Sequence, residues 1–193
     1  MPKFSILKET RILDSYTKVD EAEIQHNENF KKFFRQKVVR PDAVVGLLYN
    51  TDSDTVVLVK QYRYPIHNEK NSGFIYEAIA GCVDKNENPT KCFIRECYEE
   101  TGYLIPEANV EYCFSAYVSP GYTTEKLHYF LATVKNSDKK SSGGGLESEN
   151  EFIEVCEIPY LIFKGMMDGN IQDSKTKLLA LEAHYRKLFD KVK

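Results

Sequence analysis

The sequence predicts an α/β protein: a mixed β-sheet flanked by helices, with a small antiparallel β unit at the N-terminus. Three observations carry this expectation. Two apolar, β-branched runs, AVVGLLY (43–49) and TVVLVKQY (55–62), are joined by the polar turn NTDSD. Residues 88–102 carry helix signals at both ends. Residues 1–40 alternate short β-like runs with charge.

Taken in order, Arg11 to Val19, Ala22 to His26 and Phe33 to Arg40 read as strands of a small N-terminal β subdomain (1–40), with the main domain over 41–193. The paired runs from Ala43 predict a hairpin, since polar turn residues separate two runs of strand-forming side chains. FIYEAIA (74–80) predicts a further strand, ended by Gly81. Asn88 can cap a helix, Pro89 suits its first turn, and Gly102 can take the left-handed position just past its end. Strands follow at Val110 to Val118 and Leu127 to Val134. NSDKKSSGGGLESEN (136–150) is a polar, glycine-rich loop without periodicity. Phe152 to Ile158 reads as a strand and Tyr160 to Asp168 as a short helix. A last helix starts near Asp173 or Ser174 and is expected to bury Leu178, Leu181, Tyr185, Leu188 and Val192 on one face.

Composition narrows the function classes. An apolar fraction of 42%, with 13 Tyr and 11 Phe, can fill a substantial core. A formal net charge of −3 offers no basic stripe for nucleic acid, although a nucleotide needs only a few local cations or a metal. No run reaches the ~20 apolar residues of a membrane helix, and MPKFSILKETRI has no signal-peptide core. The five cysteines (Cys82, Cys92, Cys97, Cys113, Cys156) lack paired metal-finger spacing and are expected as small buried residues in a reducing compartment, the cytoplasm.

The chemistry concentrates in GCVDKNENPTKCFIRECYEETGY (81–103). On a helix, Glu96 and Glu100 stand one turn apart on one face, and Glu99 leans toward them. Such like charges destabilise an isolated helix by ~0.2–0.5 kcal/mol per pair. A hard divalent cation removes that repulsion, and magnesium prefers such oxygen ligands. The alternative reading of these three alone is a solvated acidic face. Gly81, Glu87, Arg95, Glu96, Glu99, Glu100 and Gly102, however, match the Nudix signature GX5EX7REUXEEXGU at every polar and glycine position. Cys97 and Tyr103 stand where that family favours aliphatic residues. The chain thus resembles the Nudix hydrolases.

The resemblance implies a Nudix fold and a set of roles. Glu96, Glu99 and Glu100 would hold Mg2+ (with Mn2+ a substitute), joined by the backbone carbonyl of Ala80. Gly81 would let the backbone turn close to the metal, Glu87 and Arg95 would pair to fix loop to helix, and Gly102 would end that helix. VKQYRYP (59–65), EAIAG (77–81), YVSPGYTTEKLHYFLA (117–132), GGGLESENEFIEV (143–155) and GNIQDSKTKLLAL (169–181) resemble, in order, the branch of ADP-ribose, GDP-mannose and UDP-sugar pyrophosphatases. That branch implies hydrolysis of a nucleoside diphosphate sugar, GDP-mannose or ADP-ribose first. It also implies a homodimer joined through the N-terminal β subdomain.

Outside the signature, Arg63 reads either as a phosphate-binding guanidinium or as a surface arginine at a strand end. Glu77, on an otherwise apolar strand, is either a ligand contact or half of a structural pair. Gly143, Gly144 and Gly145 permit loop movement, and the resemblance through FIEV favours Glu149 as general base, acting with Glu100, and Glu151 as an added metal ligand. Other nucleotide pyrophosphates (UDP-glucose, dinucleoside polyphosphates) and a non-catalytic Nudix nucleotide-binding module remain the rival readings.

Overall fold

The computed structural model describes residues 3–190, apart from the side chain of Glu149. At the N-terminus, β1 (Phe4–Asp14), β2 (Lys18–His26) and β3 (Lys32–Val39) form an antiparallel sheet in that order. The first strand differs from expectation. It begins at Phe4 and ends at Asp14, because the chain must reverse at 15–17 to pair Asp14 with Lys18. Ser15 closes that reversal, its amide and hydroxyl both donating to the Thr17 carbonyl. Opposite charges face across the strands, Arg11 with Asp20 and Lys37 with Glu9, which favours this register.

The chain divides into two compact units. The first joins the segment up to Asp42 to Ala116–Leu127. Within it the Val38 amide donates to the Tyr122 carbonyl at 2.7 Å, and the Thr124 amide donates back to Val38 at 3.0 Å.

The second unit holds β4 (Ala43–Asn50), β5 (Thr55–Tyr62), β6 (Phe74–Glu77) and β7 (Ile79–Cys82). β8 (Val110–Tyr117) and β9 (Lys126–Val134) lie mostly within it, followed by β10 (Glu154–Pro159). These make a seven-stranded sheet along the path β10-β5-β4-β9-β8, with β6 paired to β5 and β7 to β4. Three helices accompany it: α1 (Pro89–Thr101), α2 (Tyr160–Met166) and α3 (Ser174–Tyr185). All eight residues of β4 are buried, as expected of a strand covered on both faces. Val44 and Leu48 share a core cluster with Phe93 and Cys97 of α1, and Phe93 stacks on Phe130 of β9 at 5.0 Å. A Cβ at Gly46 would lie 2.2 Å from the Phe93 ring, so glycine there lets α1 settle onto the sheet. α3 also packs against β4. The α/β class, with a sheet between helices and an antiparallel N-terminal unit, is as the sequence predicts.

Three further expectations are corrected here. FIYEAIA is two strands, because the segment leaves β5 after Glu77 and joins β4 from Ile79. The amide of Ala78, at the break, donates instead to the Thr176 hydroxyl at 2.7 Å. α3 also buries a different face from the one expected. Leu178 (40%), Leu181 (66%) and Tyr185 (82%) are exposed, whereas Thr176, Leu179, Ala180 and Ala183 are buried. Leu188 is buried as expected, and Val192 lies outside the described residues. Of the cysteines only Cys92 and Cys97 are buried; Cys82 is exposed, since it follows Gly81 at the end of β7. No described helix is long and apolar enough to cross a membrane.

Candidate active site

α1 forms where its sequence marks it. The Asn88 carboxamide oxygen accepts from the amides of Thr90 and Lys91, Pro89 opens the first turn, and Gly102 ends the helix at φ 78°. Glu96 and Glu100 fall on the buried face with Cys92, Phe93 and Cys97, while Glu99 is half-buried.

Arg95 organises this face. Its Nε and Nη2 donate to Glu87 at 3.1 and 3.0 Å, and Nη1 donates to Glu96 and Glu99, both at 2.9 Å. Glu87 also accepts from the Asp84 amide at 3.1 Å, which ties the loop before α1 to the helix. The Arg95 guanidinium holds the Glu87 carboxyl at about 2, well below the usual carboxylate range.

The deeper carboxylates shift the other way. Burial pushes Glu96 up to about 7, partly offset by Arg95 and reinforced by the nearby charges of Glu99 and Glu151. Glu100, almost wholly buried, is driven well upward by burial and then by Glu96 and Glu151. Its opposing influences are weaker: the Ala80 amide, donating at 3.4 Å, and the Arg63 charge. Gly81 makes room for this arrangement, since a Cβ there would lie 1.9 Å from the Glu96 carboxyl carbon.

These residues suit a hard divalent cation. They offer oxygens, and at Glu96 and Glu100 burial, reinforced by the neighbouring carboxylates, raises the proton affinity more than Arg95 and Arg63 lower it. Among the described residues no group of three or more His, Cys, Asp or Glu is poised as a metal cage. Arg95 Nη1 bridges Glu96 and Glu99, 2.9 Å from each.

Beside this cluster, Glu77 is buried and accepts from Arg63 Nε at 3.0 Å, Arg63 Nη2 at 2.6 Å and Gln61 at 3.1 Å. The structure therefore pairs Glu77 with Arg63. The start of α3 adds residues that the sequence reading did not place in the site. Asp173 caps α3, accepting from the Thr176 amide at 2.9 Å and the Thr176 hydroxyl at 2.7 Å. Lys175 reaches Asp173 at 2.6 Å and lies 4.0 Å from Glu77. The capping signal in QDSKT is visible in the sequence, but the contact with Ala78, nearly a hundred residues away, is not.

The glycine-rich loop is fastened rather than free. Gly144 and Gly145 donate to the Glu100 and Glu99 carbonyls at 2.8 and 3.1 Å. Glu151 accepts from the Leu146 amide at 3.2 Å and acts electrostatically on both Glu96 and Glu100. The Glu149 side chain lies outside the described residues.

Comparison with known proteins adds three findings. Residues 39–176 match the family described as NUDIX domain. The GDP-mannose pyrophosphatase of Pectobacterium atrosepticum is 43% identical over 81% of this chain and 80% of its own length. That of Citrobacter koseri is 35% identical over 94% of this chain and 95% of its own. A crystal structure described as an ADP compounds hydrolase superposes with a TM-score of 0.77 at 16% identity, covering 99% of this chain and 97% of that one. This last likeness is one of fold.

Proposed function

Because the chain belongs to the NUDIX domain family, we propose that it hydrolyses the pyrophosphate of a nucleoside diphosphate sugar, with GDP-mannose the first candidate substrate and ADP-ribose the second. Water adds to one phosphorus, the bridging P–O bond breaks, and a nucleoside monophosphate and a sugar phosphate leave. The observation that carries this reading is the buried pair Glu96 and Glu100, with Glu96 seated against Gly81 where a side chain would not fit. The names of the relatives, GDP-mannose pyrophosphatases over most of the chain, supply the substrate class.

Mg2+, with Mn2+ as substitute, is the cofactor of this reading, and Glu96, Glu99, Glu100, Glu151 and the Ala80 carbonyl would hold it. Such a cation, when bound, neutralises pyrophosphate charge and makes a bound water more acidic. The chain's own residues do the rest. Glu77 fixes the Arg63 fork through Nε and Nη2, leaving Nη1 to face a phosphate oxygen. Glu87 holds Arg95, which in turn holds Glu96 and Glu99 in place. Glu149 is the base that takes the proton of the attacking water. A homodimer fits the exposed apolar side chains of β1 and β3: Phe4, Ile6, Leu7, Ile12, Leu13 and Phe34. A reducing, cytoplasmic setting fits five cysteines without a disulfide among the described residues.

The test is a panel of GDP-mannose, ADP-ribose, UDP-glucose and a dinucleoside polyphosphate, with magnesium or with EDTA, and the products resolved by phosphorus NMR. Magnesium-dependent release of GMP and mannose 1-phosphate is expected. Cleavage of the dinucleoside polyphosphate alone would reassign the substrate class. Tight binding of a nucleotide sugar without turnover would make the chain a binding module.

A further inference from the structure

The last carbonyls of a helix have no partner within it and need donors from elsewhere. In α1 the Tyr98 carbonyl accepts from the Gly102 amide at 2.9 Å, and the Cys97 carbonyl accepts from the Thr101 hydroxyl. The next two, on Glu99 and Glu100 themselves, accept from the amides of Gly145 and Gly144. To deliver both donors the loop runs through three successive left-handed residues, Gly143, Gly144 and Gly145, at φ 67°, 115° and 80°. Only glycine adopts such a run without strain.

Each end of this run is also closed to a side chain. A Cβ on Gly143 would lie 2.4 Å from the Glu100 carbonyl oxygen, and one on Gly145 would lie 2.6 Å from a carboxylate oxygen of Glu151. Beyond the glycines the chain folds back on itself. The Leu146 amide donates to Glu151 at 3.2 Å, the Glu151 amide donates to Leu146 at 3.3 Å, and the Ile153 amide donates to Gly144 at 3.3 Å. The glycine run is thus bonded to the helix residues that carry the carboxylates, and its last residue packs on Glu151.

We infer that Gly143–Gly145 is a positioning element that registers Glu151 against Glu96 and Glu100, with Gly145 the residue that sets the Glu151 carboxylate. The glycines serve to bind, not to let the loop swing. This inference rests on the proposed cation-dependent site, and Gly145 acts through Glu151 rather than on the substrate.

The test is a double-mutant cycle on the full chain, combining Gly145→Ala with Glu151→Gln and following the rise in Tm caused by saturating magnesium. Gly145→Asn is a companion variant, because asparagine tolerates a left-handed backbone while still bringing a Cβ toward Glu151. Both Gly145 variants are expected to melt cooperatively, to lose most of the magnesium-induced rise, and to need about 10-fold more magnesium for half-maximal hydrolysis. KM for the nucleotide sugar should hold while kcat falls. The double variant should be no worse than Glu151→Gln alone, since both changes remove the same contact.

A full magnesium response in the Gly145 variants would overturn the inference. So would losses that multiply in the double variant, or failure of both Gly145 variants to fold, since each points to a role apart from Glu151. The Tm response needs no substrate. A wild type that responds to magnesium but turns over no nucleotide sugar therefore sinks the substrate proposal and leaves this inference standing.

Discussion

Glu96 and Glu87 sit nine residues apart and both contact Arg95, yet their acidities are moved in opposite directions. Glu87 is held at about 2 by the guanidinium, whereas burial lifts Glu96 to about 7 from an ordinary 4.5. The consequence for stability has opposite signs. Glu87 contributes stability that is present above 4.5 and lost as pH falls through about 2. The metal-free protein gains from a protonated Glu96 below 4.5 and loses that gain as pH rises through about 7. Metal-free protein is therefore expected to melt at a lower temperature at pH 7.5 than at pH 5.5 as far as Glu96 and Glu100 govern it, with magnesium raising Tm more at the higher pH. Calorimetry with EDTA and with magnesium at the two pH values checks this. Equal magnesium responses would contradict it. Glu100→Gln follows the same logic: removing a buried carboxyl that resists ionisation should leave metal-free stability unchanged or raised, and abolish the magnesium response.

At the scale of elements, α1 was legible because its signals are local. Asn88, Pro89 and Gly102 mark the ends, and the buried carboxylates follow from a spacing of one turn. The sheet strands were legible as apolar runs, but the break at Ala78 was not, since nothing in FIYEAIA marks where it exchanges β5 for β4. The buried face of α3 is hidden from the sequence for a related reason. Leu178, Leu181 and Tyr185 form the more apolar stripe, but Thr176, Leu179, Ala180 and Ala183 lie at helical spacing on the side that Thr176 pins to Ala78. Small side chains there let α3 approach β4, and the contact that selects the face is remote in sequence. Thr176→Val removes the acceptor for a buried amide and should destabilise the fold by about 1–3 kcal/mol in a denaturant titration. Thr176→Ser, which keeps the hydroxyl, should stay close to wild type. A Thr176→Val variant close to wild type beside a destabilised Thr176→Ser would mean that the methyl group, not the hydrogen bond, secures α3. Among the site residues, the Arg95 contacts with Glu96 and Glu99 were not legible either, because they depend on rotamers that spacing does not specify.

For the whole molecule, Phe4, Ile6, Leu7, Ile12 and Leu13 of β1 are all exposed, and the proposed dimer would cover apolar side chains of this sheet. Light scattering of the full chain is expected to give twice the mass of 22.3 kDa. Ile12→Lys with Leu13→Glu should shift the protein to that single-chain mass. A wild type that is monomeric at micromolar concentration would contradict the proposed dimer without touching the site in the second unit. A buried carboxylate pair, a glycine that makes room for Glu96 and relatives named GDP-mannose pyrophosphatase together support the proposed catalysis. Its most direct test is the initial rate of GMP release from GDP-mannose with magnesium, for wild type and for Glu100→Gln shown by circular dichroism to be folded. Wild type is expected to turn over GDP-mannose until EDTA is added, and the variant to lose well beyond about 100-fold, since removing even an outer partner of a metal ligand costs about 10–100-fold. Undiminished turnover in the folded variant would contradict the assignment of Glu100 and, with it, of the carboxylate helix as the catalytic centre.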